Sequence, residues 1–233
     1  IDLGHARGEL GVEAKEIMIN EQLAVRMRAG SQAHDDAVFG ALGDDEPSTA
    51  RVALDIGDLE RFDRHAKAAA EAAGVELRVE KLDVQDSADR KRAENWDVNV
   101  LVNNAGIGES GPLAEISVDL VRANFETNVF GALELTQGLL KGMLKKGGGK
   151  IVNISSIAGR ITIPFIGPYC MTKHGIEVVS EALKAELEHH NIKVVVIEPG
   201  PYATGFNELL MASKYRWFNE HSLFAGDAEF IKT

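Results

Sequence analysis

Alternation is the feature that most constrains what this chain can fold into. From about residue 51, short apolar runs of strand length trade places with runs of helical length. Residues 51–56 (RVALDI), 76–82, 98–102, 150–154 (KIVNI) and 192–197 (IKVVVI) read as strands. Residues 59–73 (LERFDRHAKAAAEAA), 117–146 and 169–188 read as helices between them, and Gly74 is a natural stop for the first. Strands joined through helices of this length need right-handed crossovers, so the predicted class is α/β, a parallel sheet flanked by helices on both faces. Ligands of such sheets bind at the carboxyl ends of the strands. The polar motifs below all fall at such ends or on the helix that follows.

The 233 residues, 45% apolar, suffice for one sizeable core and predict a single domain over 1–233. A net charge of −11 argues against nucleic acid as a partner, because phosphate contacts need clustered Lys and Arg. The one dense basic stretch, 141–150, reads as a helix end before a glycine turn. Cys170 is the sole cysteine, which excludes an intrachain disulfide framework and a cysteine metal cluster, and the seven histidines show no zinc-ligand spacing. No metal is expected. No signal peptide and no membrane-spanning run are read, so the expectation is a cytoplasmic protein with no membrane partner.

Tyr169 and Lys173 stand four apart at the start of a helical pattern and therefore share a helix face. A phenol beside a fixed ammonium ionises more easily than its usual pKa of about 10 implies. That is the property a general acid/base needs for alcohol–carbonyl chemistry near neutral pH. Ser155 and Ser156 lie at the end of an upstream strand run. In the long helix, Val121, Phe125, Asn128, Ala132, Leu135, Leu139 and Met143 form one stripe that should face the core. Asn128 is its polar member. A buried amide without partners costs about 1–3 kcal/mol, so it is either satisfied by nearby backbone or joined to a polar network.

From about residue 51 to 206 these motifs, in this order, resemble the short-chain dehydrogenase/reductase family. Asn103-Asn104-Ala105-Gly106 is similar to the family's NNAG turn, and Asp83-Val84 to the pair that holds the adenine ring. Asn128 matches the family's helix asparagine. Ser156, thirteen residues before Tyr169, matches the catalytic serine, with Ser155 as the strand-end alternative. Tyr169 and Lys173 match the YxxxK pair, and Pro199-Gly200 followed by Thr204 matches the stretch that flanks the nicotinamide. The resemblance implies a doubly wound Rossmann-type sheet and an NAD(P)-dependent oxidoreductase acting on a secondary alcohol or ketone. It implies Asn128, Ser156, Tyr169 and Lys173 as catalytic residues. The cofactor would meet Asp83, Val84, Asn104, Ala105, Gly106, Tyr169, Lys173, Pro199, Gly200 and Thr204. The substrate would meet Ser156, Phe165 and Tyr169. A homodimer or homotetramer through the two long helices is implied as well.

Two choices stay open at this point. Asp55 and Asp58 are acidic candidates near the end of the second strand run and favour NAD over NADP, although Asp58 could equally cap a helix and Arg61 and Arg64 lie nearby. Ile163, Phe165, Ile166, Leu209, Leu210 and Met211 would form an apolar wall suited to a lipophilic substrate, or are ordinary core. The sequence also departs from the family. Residues 1–50 form a divergent part without the TGxxxGxG loop: Gly4, Gly8 and Gly11 have the wrong spacing, and 15–20 (KEIMIN) is the candidate first strand. That absence supports an alternative, a dehydrogenase-like binding or regulatory protein with impaired catalysis. Residues 205–233 are read as a segment that covers the substrate.

Overall fold

The computed structural model describes residues 16–20, 49–54, 76–201, 206–213, 217 and 220–227. Its centre is a six-stranded sheet in the order β3-β2-β1-β4-β5-β6. The strands are β1 (Glu16–Asn20), β2 (Thr49–Leu54), β3 (Glu76–Lys81), β4 (Val100–Asn103), β5 (Gly149–Ile154) and β6 (Ile192–Ile197). Every pairing is parallel, for example Met18 opposite Leu101, Asn103 opposite Asn153, and Ile154 opposite Ile197. β1 lies between β2 and β4, so the strand order reverses beside it. That reversal opens a crevice at the carboxyl edge of the sheet. The 15–20 run is thus the first strand, as the sequence suggested. The predicted helix over 59–73, the glycines at 4, 8 and 11, Asp55, Asp58, Arg61 and Arg64 lie outside the described residues.

The described helices are α1 (Ser87–Ala93), α2 (Val118–Phe125), α3 (Ala132–Lys146), α4 (Gly167–Leu187) and α5 (Phe206–Ser213). Local chemistry sets their ends. Asp86 caps α1 by accepting from the Ala88 and Asp89 amides, and Ser117 caps α2 by accepting from Asp119. Gly147 ends α3 in the left-handed region at φ 81°, with Lys145 and Lys146 in the last turn facing the negative end of the helix dipole. Pro168 sits in the first turn of α4, where its missing N–H costs nothing.

α2 and α3 are one continuous rod, joined by a π-helical turn over Glu126–Gly131. The stripe predicted over this rod is buried from Asn128 through Ala132, Leu135, Leu139 and Met143, while Val121 and Phe125 are only half buried. Leu135, Leu139 and Met143 pack with Leu183 and Leu187 of α4 against Leu101 and Ile151 of the sheet. The other face of the same strands presents Val100, Val102, Val152 and Ile154, packed with Val195 and Ile197. β4 and β5 are buried at every position, as strands covered on both faces must be. Each such fully buried aliphatic side chain contributes roughly 1.5–3 kcal/mol.

A polar seam runs through this core. Asn103 donates to Thr136 of α3 and to Asn153, each at 2.9 Å, and Asn153 donates to Ser180 of α4 at 2.8 Å. The seam ties both long helices to adjacent strands. It fixes how α4 sits over the end of β5, and that placement aims the side chains of the site.

Candidate active site

β4, β5 and β6 deliver their carboxyl ends to one cavity of about 320 Å³. Asn104 and Gly106 follow β4, Ser155 and Ser156 follow β5, and Pro199 and Gly200 follow β6. α4 brings Tyr169 and Lys173, and α5 closes one side with Phe206, Leu210 and Met211. Tyr169 and Lys173 are only 8% and 6% exposed, so their chemistry takes place largely out of water.

Lys173 is held from two directions. Its Nζ donates to the Ile154 carbonyl at 2.8 Å and stands 5.5 Å from the centre of the Tyr169 ring. The Phe206 ring lies tilted against Tyr169, at 5.5 Å between centroids. Ser156 has an extended backbone and caps the short Ile157–Gly159 turn, its Oγ accepting from the Ala158 amide at 3.1 Å. A hydroxyl that accepts one bond from the backbone keeps its own hydrogen for a ligand oxygen. Ser155 is buried more deeply, beneath Gly159: a Cβ at Gly159 would lie 2.6 Å from the Ser155 Oγ.

Asn128 projects from the π turn toward the loop after β4. Its Oδ1 accepts from the Ile107 amide at 2.8 Å, while its Nδ2 donates to the Ile107 carbonyl at 2.8 Å and to Thr172 at 3.0 Å. Thr172 in turn donates to the Tyr169 carbonyl at 2.8 Å. Both readings of the buried amide therefore hold together. Backbone satisfies it, and the same bonds connect it to the first turn of α4.

Asp83 and Val84 follow β3. The Asp83 amide donates to Asp89 at 2.9 Å, and its Oδ1 accepts from the Gln85 amide at 2.7 Å. The buried Val84 accepts from Arg90 through its carbonyl at 2.7 Å. The Asp83 amide, ahead of Arg92, holds the Asp89 carboxyl below its ordinary range against the opposing effect of burial. Phe165 stands apart from the cavity lining. It takes the left-handed backbone (φ 64°), and its ring stacks on Trp217 at 6.1 Å and meets Phe224 edge-on. Of the remaining expected wall, Ile163, Ile166, Leu210 and Met211 line the cavity. Thr204 lies outside the described residues.

Phe206 and Asn207, at the start of the stretch read as covering the substrate, also line the cavity, though neither was singled out as a site residue. Lys173 is the one charged side chain among the described lining residues. No group of His, Cys, Asp and Glu among the described residues could hold a metal ion, and no described helix is long and apolar enough to cross a membrane.

The residues at this end suit a nicotinamide nucleotide. A Cβ added at Gly200 would meet nothing within 4 Å, so a flat ring can approach that backbone, and Asn104, Gly106, Tyr169 and Lys173 line the same space. The portion that would meet the pyrophosphate falls on residues outside those described.

Comparison with known proteins gives a consistent picture. The profile of the short chain dehydrogenase family matches residues 4–214. An NADPH-dependent 3-dehydrocapnine reductase from Ornithobacterium rhinotracheale is 44% identical over 111 residues, 46% of this chain and 39% of that protein. Human retinol dehydrogenase 8 is 36% identical over 174 residues, 73% of this chain and 56% of that protein. The chain thus spans about half the length of these curated relatives. Among solved structures, a short-chain dehydrogenase from Streptomyces avermitilis superposes with a TM-score of 0.64 at 28% identity, covering 82% of this chain and 67% of that one.

Proposed function

The chain belongs to the short-chain dehydrogenase family, and from that premise we propose that it is an NAD(P)-dependent oxidoreductase interconverting a secondary alcohol and a ketone. The observation that carries this reading is the single cavity gathering Ser156, Tyr169 and Lys173 at the carboxyl ends of the strands. The cofactor, when bound, supplies the hydride chemistry. Asp83 and Val84 would hold its adenine end, Asn104, Ala105 and Gly106 its middle, Lys173 its ribose, and Pro199, Gly200 and Thr204 its nicotinamide.

The chain's own residues move the proton. Tyr169 exchanges a proton with the substrate oxygen, and Ser156 donates a hydrogen bond to that oxygen as charge develops on it. The Lys173 ammonium, fixed by Ile154, favours the anionic form of the phenol. Asn128 extends the relay by anchoring a water. Both hydrogens of its amide are spent on Ile107 and Thr172, so an oxygen of Asn128 must hold that water.

The apolar lining suits a lipophilic neutral substrate, which Phe165 would support from behind the wall rather than at it. Retinol dehydrogenase 8 is one relative whose name points the same way. NAD is favoured on Asp55 and Asp58, while the Ornithobacterium rhinotracheale relative is named as NADPH-dependent. Assembly as a homodimer or homotetramer and a cytoplasmic location complete the proposal.

The test is a panel of ketones and secondary alcohols assayed with both cofactors, repeated on Tyr169→Phe. The variant should fold normally and lose turnover by about 10²–10⁴-fold; undiminished turnover would sink the mechanism. A second reading, binding or regulation without catalysis, is favoured by the missing TGxxxGxG loop. It predicts no turnover anywhere in the panel.

A further inference from the structure

The turn that carries Ser156 ends at Arg160, whose side chain reaches two other parts of the site. Its Nε donates to Glu198 Oε1 at 2.9 Å, and its Nη2 pairs with Glu198 at 2.8 Å and with Glu177 Oε2 at 3.1 Å. Glu177 lies one turn beyond Lys173 on α4, and Glu198 immediately precedes Pro199 at the end of β6. Glu177 is 4% exposed, and Arg160 provides its one ion pair among the described residues. Neither Glu177 oxygen has a hydrogen-bond partner, so the half-exposed guanidinium offsets the burial of this carboxylate by charge alone. Glu198, then Glu177, holds the guanidinium above its ordinary range.

The packing between these groups is close. A Cβ at Gly159 would lie 3.1 Å from Glu177 Oε1 and 3.1 Å from the Lys173 carbonyl, so the Ile157–Gly159 turn rests directly on α4. Its other end is fixed by the Ile157 amide donating to the Pro199 carbonyl at 3.1 Å. We propose that Arg160 is a positioning residue: by holding Glu177 and Glu198 together, it sets Ser156 against Tyr169 and Lys173 and keeps the Pro199-Gly200 segment in step. The proposal rests on the reading that Ser156 and Tyr169 share the substrate oxygen.

The experiment combines Arg160→Gln with Ser156→Ala. On the ketone turned over fastest by the unaltered chain, Arg160→Gln should lower kcat about tenfold with little change in KM, because small misplacement of a catalytic group costs rate. In the Ser156→Ala background the same substitution should change residual kcat less than about twofold, since the group it positions is gone. A full tenfold loss in both backgrounds, or no loss in the first, overturns the proposal. Arg160→Lys should restore only part of the loss, because it keeps the charge but not the fork.

Amide hydrogen exchange reads the same tie without turnover. Exchange at Ala158 should quicken about tenfold in Arg160→Gln while Leu139 in α3 is unchanged; an unchanged Ala158 overturns the proposal. Should Arg160→Gln fail to fold, Glu198→Gln removes one arm at an exposed site and must show the same non-additivity with Ser156→Ala. A chain inactive on every substrate counts against the oxidoreductase reading, and the exchange result then decides this one.

Discussion

Lys173 shows how much a single residue of this site is asked to do. Its aliphatic stem is buried, its Nζ is bonded to the Ile154 carbonyl, and its charge stands over the Tyr169 ring. Four-residue spacing made that pair legible in the sequence, because spacing alone places two side chains on one helix face. The choice of Ser156 over Ser155 depended on resemblance, and no pattern announced Asp89. Asp89 sits in the first turn of α1, where it accepts from the Asp83 amide and pairs with Arg92 Nη1 at 2.6 Å. Its folded pKa is depressed below the ordinary 3.8, so its stabilising effect is complete above that value and is lost as pH falls through the folded one. Asp89→Asn should therefore cost up to about 1 kcal/mol near neutral pH, and the gap to the unaltered chain should close as pH drops below about 4. Urea unfolding at a series of pH values measures it; a gap that widens on acidification contradicts the assignment.

At the scale of elements, the long rod over α2 and α3 was legible because six apolar residues and Asn128 recur along it as one stripe. The π turn within it was not, since the stripe tolerates one extra residue without breaking. α1 was missed for the opposite reason: SADRKRA has one buried position, Ala93, so periodicity had nothing to register, and the Asp86 cap was its only signal. The π turn ends at Gly131, which packs against the loop after β3. A Cβ there would lie 2.7 Å from the Val84 carbonyl oxygen and 3.0 Å from that of Glu126, both backbone atoms that cannot swing away. Gly131→Ala should destabilise the fold by about 1–3 kcal/mol through overpacking, read as a lower urea midpoint at unchanged slope. A midpoint equal to that of the unaltered chain would mean that rod and loop are not packed as described.

For the whole molecule, the alternation of strand and helix signals fixed the class of fold, and the six parallel strands realise it. The place of β1 between β2 and β4 was less legible, because five residues, EIMIN, carry a weak strand pattern, and pairing to both neighbours rather than local propensity defines them. That central position matters for function. The crevice beside β1 is where a dinucleotide would cross the sheet, with Asp83 and Val84 on one side and Asn104, Gly106 and Lys173 on the other. A ligand spanning both halves of the sheet stabilises the entire fold rather than one loop. At a hundred times its dissociation constant it adds about 2.7 kcal/mol. For a chain of this size that raises the melting temperature by roughly 5–10 °C. NADH and NADPH should therefore each be titrated against thermal unfolding. The nucleotide that gives the larger rise at equal concentration is the one the chain prefers. A melting temperature unmoved by either would remove the oxidoreductase reading and leave the binding or regulatory one, since a site complete for proton transfer has no chemistry to perform without a hydride partner.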